Sequence, residues 1–300
     1  MSKVLIAGAT GFIGRYLIGY LLEKGDSIHA LTRRKQNSEQ SNISYFEWDV
    51  ATGFIDGNAF DKVSSIINLT GANIGDQRWT NKRKTEILES RTKPIQLLYN
   101  YVREHSLKID AFISSSAVGY YGAVTSDEVF IENSVKGADF LSEVCQKWEH
   151  AAFQFSALGA RTVVLRKGVV IGKDGGIYQK LAPLAKRSLN TALGDGKQYL
   201  PWIDVRDVVR LYEFILTHRE VSGVYNAVAT EHITMNDFSE ALLASFGKKS
   251  ILPNVPKFMI QIAVGEMSVM LLKGSKVSNQ KLRNTGFEFE YEKIKNALDL

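Results

Sequence analysis

The stretch Val4-Leu5-Ile6-Ala7-Gly8-Ala9-Thr10-Gly11-Phe12-Ile13-Gly14 decides the reading of this chain. An apolar run ends on Gly8, and Gly11 and Gly14 follow before an amphipathic segment that reaches Glu23. Each glycine has a physical task at a strand–turn–helix junction. Gly8 permits the tight turn, Gly11 lets the backbone approach a pyrophosphate, and Gly14 lets helix and strand pack closely, while the helix N-terminus offers oriented N–H donors to the same anion. Thr10, Phe12 and Ile13 complete the turn and are expected beside the phosphates with the three glycines. A strand, turn and helix are expected here and not a signal peptide or membrane span: the glycines interrupt the run, Arg15 breaks it, and its uncharged part is shorter than the roughly 20 residues a span needs.

Working outward, short β-rich runs alternate with helix-length segments. Lys3–Ala7, Ser27–Thr32, Ile43–Glu47, Ser64–Leu69, Asp110–Ser115 and Arg161–Arg166 read as the first to sixth strands. Phe12–Glu23, Trp79–Glu104, with a break or restart expected at Pro94, and Gly137–Leu158 read as helices between them. Strands with adjacent apolar residues, such as Ile66 and Ile67 within Val63–Leu69, suit a sheet covered on both faces. The alternation predicts an α/β fold: a Rossmann-like, doubly wound parallel sheet with a smaller C-terminal substrate-binding part. Residues 1–172 are expected to form the nucleotide-binding domain, with a return near 203–229, and residues 173–300 the smaller domain. In the latter, a strand at Val224–Ala229 and helices near Asn236–Phe246 and Lys257–Leu272 are expected. Lys257, Gln261 and Glu266 recur on one side of the last, as in an amphipathic packing helix.

The end of the second strand carries a second signal. A protein selecting NAD places an acid there for the ribose, whereas this chain has Thr32-Arg33-Arg34. An acid repels a 2′-phosphate and a guanidinium grips it with two hydrogen bonds, so NADP is the expected cofactor, held at Thr32 and Arg33. A solvated turn is the alternative reading of the two arginines. Asp49, after the third strand, is placed to accept from an adenine amino group or to cap a helix.

Composition sets the outer limits. A hydrophobic share of 45% and a charged share of 23% over 300 residues are globular values and leave room for a large core. One cysteine, Cys145, excludes an internal disulfide, and no Cys/His cluster has zinc spacing, so a reducing, cytoplasmic setting and no metal are expected. The net charge of +5 is spread along the chain; nucleic acid and membrane are not expected partners, and a monomer or homodimer acting on a small molecule is.

With these motifs in view, the sequence resembles the extended branch of the short-chain dehydrogenase/reductases, and more closely an atypical subgroup labelled the epimerase family. The marks are Gly8–Gly14, Ile67-Asn68-Leu69-Thr70-Gly71-Ala72-Asn73-Ile74, Arg78-Trp79-Thr80, Glu86 with Ser90-Arg91, Ser114–Gly122, Leu165–Gly172, Pro201-Trp202-Ile203 and Leu271-Leu272-Lys273-Gly274. The resemblance covers nearly the whole chain. It implies that Leu69, Thr70 and Gly71 lie along the cofactor, that Gly168-Val169-Val170 closes over the nicotinamide, and that Glu86 and Arg91 face the cofactor or else form an ion pair on their helix.

The resemblance also implies chemistry that this chain only partly carries. Extended members have a serine after the fifth strand, matched by Ser116, then Tyr-x-x-x-Lys on the next helix, whose lysine lowers the tyrosine pKa so that the phenol moves a proton as hydride moves. Alignment on Trp148-Glu149 puts Leu141 and Cys145 at those two positions. Neither does that work, and Cys145 amid Phe140, Leu141 and Val144 reads as an apolar filler. Ser116 and Tyr120 are therefore the candidate catalytic residues, with Tyr121 beside them; a structural or substrate-contacting role for both tyrosines is the alternative. An NADP-dependent oxidoreductase or epimerase-like enzyme is one expected function. A non-catalytic NADP(H) sensor or partner-binding module is the other.

Overall fold

The computed structural model describes residues 3–34 and 41–299; Lys35, from the basic run after Arg33, lies outside them. The first strand, β1 (Lys3–Ala7), explains the architecture. Val4 and Ile6 are fully buried toward one face of the sheet, where they join Leu17 and Leu21 of α1 (Phe12–Glu23). Leu5 and Ala7 are fully buried toward the other face, with Ile95 and Leu98 of α2 (Asn81–Glu104). Strict alternation into two cores is why the strand has no polar side and reads as a continuous apolar run.

The remaining strands extend this pattern. β2 (Ser27–Thr32) and β3 (Ile43–Asp49) lie on one flank of β1, followed by the two-residue antiparallel β4 (Phe54–Ile55). The chain then crosses to the other flank, where β5 (Ser65–Asn68) and β6 (Ala111–Ala117) pair in parallel. A short β7 (Val129–Phe130) and α3 (Phe140–Phe153) lead to β8 (Arg161–Lys167), which lies against β6. β9 (Val169–Gly172) leaves the sheet, α4 (Gly176–Ala185) follows, and β10 (Trp202–Asp204) pairs with β9. After α5 (Val205–Thr217), β11 (Gly223–Ala227) returns as the far edge. The order β11-β8-β6-β5-β1-β2-β3-β4 is a Rossmann-like, doubly wound α/β sheet whose switch point falls between β1 and β5.

Segments 171–202 and 229–298 share a third core, built from Trp202, Phe238 and Leu242 among others. It takes in α6 (Met235–Ala244) and α10 (Ile294–Leu298). α7 (Lys257–Val264), α8 (Ser268–Leu272), β12 (Lys276–Val277) and α9 (Gln280–Arg283) lie between those two helices in the chain.

Two expectations about helices need correction. α2 runs through Pro94 without a break: burial of Ile87, Ile95, Leu98 and Val102 on one face outweighs the missing N–H. The single helix expected over Lys257–Leu272 is two, because Gly265 takes a φ of 62° and a 3-10 turn separates α7 from α8. Of α7's side chains only Ile260 is buried, while Phe258, Met259 and Ile262 are exposed. No described helix is long and apolar enough to cross a membrane.

Candidate dinucleotide site and adjoining cleft

In a parallel sheet every strand presents its C-terminal end at the same edge, and here the ends of β2, β1, β5, β6 and β8 stand side by side in that order. Four strand spacings of about 4.8 Å make a line of about 19 Å, on the scale of an extended dinucleotide. The functional candidates follow this line from Arg33 to the end of β8.

The glycine loop after β1 sits at the switch point. Gly8 has a φ of 84°, and a Cβ there would lie 2.8 Å from the Leu69 carbonyl carbon, so the loop presses on the end of β5. A Cβ on Gly14 would lie 2.4 Å from the Ala9 carbonyl oxygen, so helix and turn touch through backbone. Gly11 differs: a Cβ there would meet only the Gly8 oxygen, at 3.2 Å. Its outward side is open, the space a phosphate needs. Gly11 caps α1 without a side-chain bond, and Arg15 makes the first intrahelical bond back to Gly11 at 3.0 Å. The N–H groups of Phe12, Ile13 and Gly14 precede that bond and are free donors by helix geometry. These residues fit a bound pyrophosphate. Thr10 is exposed at the loop tip, Ile13 packs against the first core, and the Phe12 ring lies against Gly172 and Gly175.

At the end of β2, Thr32 is buried and its hydroxyl donates to the Arg34 carbonyl at 2.7 Å, shaping the turn that presents Arg33 and Arg34 to solvent. Asp49 is exposed and accepts from the Ala51 N–H at 2.9 Å, which lowers its pKa. It caps the turn between β3 and β4, and no helix begins there for it to cap.

The loop after β5 is fastened to α2. Leu69 donates to the Ala7 carbonyl at 2.8 Å, and the Thr70 hydroxyl donates to Asn68 at 2.7 Å. The Ala72 N–H donates to Ser90, the Arg91 guanidinium donates to Ala72 and Ile87, and Arg83 donates to Asn73. Arg91 lies directly under Gly71 and over the Trp148 ring, and burial pulls its pKa down to about 10. Glu86 is half-exposed and paired with Arg83 at 2.7 Å, the ion-pair alternative raised by its helix spacing. Val170 lies in β9 opposite Ile203 of β10.

Beyond β6 and β8 the line opens into a largely apolar cleft of about 290 Å³, lined by Ala117, Val118, Leu141, Lys167, Pro201 and Met270 among others. Ser116 and Tyr120, the expected catalytic hydroxyls, are not among its lining residues. Ser116 is buried toward α3 and donates to Glu149 at 2.7 Å; Glu149 takes a two-pronged bond from Arg166, 2.8 Å on each arm. Tyr120 lies flat against the Arg166 guanidinium, 3.3 Å from ring centre. Arg166 also donates to Tyr121, whose own hydroxyl donates to Asn226 at 2.6 Å. Burial works against the Arg166 charge, but the bonds to Glu149 outweigh it and hold the pKa above its ordinary value. Cys145 is buried and its thiol is pushed up to about 12 by desolvation, as a filler's would be.

Lys167 is the residue sequence reasoning passed over. It ends β8, is buried, lines the cleft, and makes no ion pair among the described residues. Its Nζ lies 2.7 Å from the Ser115 hydroxyl and 3.4 Å from that of Tyr212, which are 3.0 Å from each other. Desolvation, with repulsion from Arg91, pulls its pKa down to about 7. Its position at the end of an otherwise buried strand is visible in the sequence, but its enclosure is not.

Comparison with known proteins agrees with this fold. The model of the NAD dependent epimerase/dehydratase family matches residues 4–227, and that of a domain of unknown function, DUF1731, matches residues 255–299. An epimerase family protein of Mycobacterium leprae is 32% identical over 99% of this chain and 94% of its own. A chloroplastic epimerase family protein of Arabidopsis thaliana, named as a homologue of SDR39U1, is 34% identical over 98% of this chain and 85% of its own. The crystal structure of the human epimerase family protein SDR39U1 with NADPH superposes with a TM-score of 0.87 and 28% identity, covering 99% of this chain and 98% of that one.

Proposed function

Because the chain belongs to the NAD dependent epimerase/dehydratase family, we propose that it is an NADP(H)-dependent oxidoreductase or nucleotide-sugar-epimerase-like enzyme acting on a small molecule. The observation that carries this reading is the unbroken line along the sheet edge. It starts with exposed arginines after β2, passes an open glycine loop at the switch point, and ends in an apolar cleft at β6 and β8. Arg33 grips the 2′-phosphate, and the N–H groups of Phe12, Ile13 and Gly14 hold the pyrophosphate. Leu69, Thr70 and Gly71 flank the middle of the cofactor, with Arg91 fixing their loop, and Val170 covers the nicotinamide end. When bound, the nicotinamide supplies or takes up a hydride. The NADPH in the human relative supports the phosphorylated cofactor. Residues 173–300 form the substrate-binding part, less the return of 203–229 to the main sheet. Leu141 and Cys145, where the family's tyrosine and lysine stand, favour a second reading: a non-catalytic NADP(H) sensor.

Calorimetric titration with NADPH and NADH tests the cofactor assignment. Wild type binds NADPH more tightly, and Arg33→Ala loses about 2 kcal/mol of NADPH affinity, as for a charged hydrogen bond, with little change for NADH. Equal losses for both nucleotides would remove Arg33 from the site. Oxidation of NADPH across a panel of aldehydes and ketones, with and without sugar nucleotides, separates the two functions: turnover of any compound favours the enzyme and none favours the sensor.

A further inference from the structure

We propose that Lys167 is the proton-transferring residue of the cleft, standing in for the tyrosine and lysine that α3 lacks, with Ser115 and Tyr212 as its positioning residues. The proposal rests on the dinucleotide reading above and adds to it a reacting group and a substrate class. Lys167 closes β8 next to Ala117 of β6, both lining the cleft at the far end of the cofactor line. The other polar groups around this cleft are engaged or peripheral. Tyr121 donates to Asn226, Tyr199 donates to Asp127 at 3.1 Å, and Lys273 is exposed.

Packing alone gives the amine little reason to be there. Ser115 and Tyr212 bond to each other at 3.0 Å, so each keeps one partner without the amine. A lysine buried without a carboxylate costs stability, and an apolar side chain of the same length would not. Groups with strongly perturbed proton affinity in a cleft are where acid–base work is found. The charged and titratable groups around it are Arg91 from α2, Tyr212 from α5, Tyr121 after β6, and Tyr199 and Lys273 across the cleft. Its depressed pKa comes from desolvation first and Arg91 second.

The implied substrate is a small ketone or aldehyde and the corresponding alcohol. In reduction, the carbonyl carbon takes hydride from NADPH and the oxygen takes a proton from the Lys167 ammonium, leaving alcohol, NADP⁺ and a neutral amine. Water returns the proton. In oxidation the neutral amine takes the hydroxyl proton as hydride passes from carbon to NADP⁺, giving the carbonyl, NADPH and an ammonium that returns its proton to solvent.

The test follows the amine itself in the full-length protein. Lysine labelled with ¹³C at Cε is titrated by NMR, with the Lys167 signal assigned by its loss in Lys167→Met and, independently, in Lys167→Arg. Titrations run in the free protein and at saturation with NADP⁺ or NADPH, binding being confirmed by calorimetry. The expected midpoint is near 7 in the free protein, and lower with NADP⁺ than with NADPH by about one pH unit, because only the oxidised ring is positive. A midpoint in the ordinary lysine range overturns the proposal. So does a midpoint indifferent to the redox state of the bound nucleotide, which would place the amine away from the reacting ring. Failure of both nucleotides to bind removes the dinucleotide reading and this one with it.

Discussion

Gly11 and Gly14 sit three residues apart in one motif, yet their surroundings predict opposite failures. A valine side chain at Gly14 would collide with the Ala9 and Gly8 carbonyl oxygens, which are backbone and cannot step aside. At Gly11 the side chain would project into the space assigned to the phosphates and meet little else. Gly11→Val is therefore expected to fold with near wild-type thermal stability and lose binding of both NADPH and NADH. Gly14→Val is expected to lose stability itself. Calorimetry and thermal melting of the two variants check this; retained nucleotide affinity in Gly11→Val would show that the loop does not hold the phosphates. At this scale the glycines were legible because each spacing has one geometric meaning. Lys167 was not, because a lysine at a strand end ordinarily reaches water, and only the packing of Tyr212 and Ser115 around it shows that this one is enclosed.

The elements of the sheet domain were legible in kind, and their ends only in part. α1 was expected and found at Phe12–Glu23, since Gly11 leaves no choice of start. α3 begins at Phe140, not Gly137, because the Asp139 carboxylate accepts from the Ser142 N–H at 3.0 Å and caps it there. The break after α7 depended on a positive φ at Gly265, which sequence periodicity does not encode. The turn Trp202-Ile203-Asp204-Val205-Arg206-Asp207 is fastened in a specific way. Asp204 caps α5, and the fully buried Asp207 accepts from the backbone N–H groups of Glu290 and Tyr291 at 3.0 and 2.9 Å and pairs with Arg210 at 2.7 Å. Asp207→Ala strands two backbone donors and is expected to cost about 3 kcal/mol. Hydrogen exchange should show the segment 287–298 losing protection before the central sheet. Unchanged protection there would mean that the third core, through Ile294 and Leu298, holds the tail without the carboxylate.

For the whole molecule, the fold class was legible because short strands with apolar centres alternate with helix-length segments along the first two thirds of the chain. The cleft was less so, since Lys167, Pro201 and Met270 come together from segments far apart in sequence. One consequence of that assembly reaches the stability of the entire chain. The folded pKa of Lys167, about 7, lies below the roughly 10.4 of an unfolded lysine. Between those values the unfolded chain holds a proton that the folded chain has released, so this residue makes stability rise with pH across that window. Below the folded pKa both states are protonated, and the native state carries the full burden of a buried, unpaired ammonium, on the order of a few kcal/mol. Lys167→Met removes the burden and leaves the Ser115–Tyr212 bond in place. The variant is therefore expected to be more stable than wild type at pH 6 to 7, with the advantage shrinking steadily toward pH 10. Urea midpoints of both proteins at a series of pH values measure it, because every other titrating group is common to the pair and cancels in the difference. A difference that stays flat across the series would mean that Lys167 keeps an ordinary proton affinity in the fold, and that its place at the cleft wall carries no acid–base chemistry.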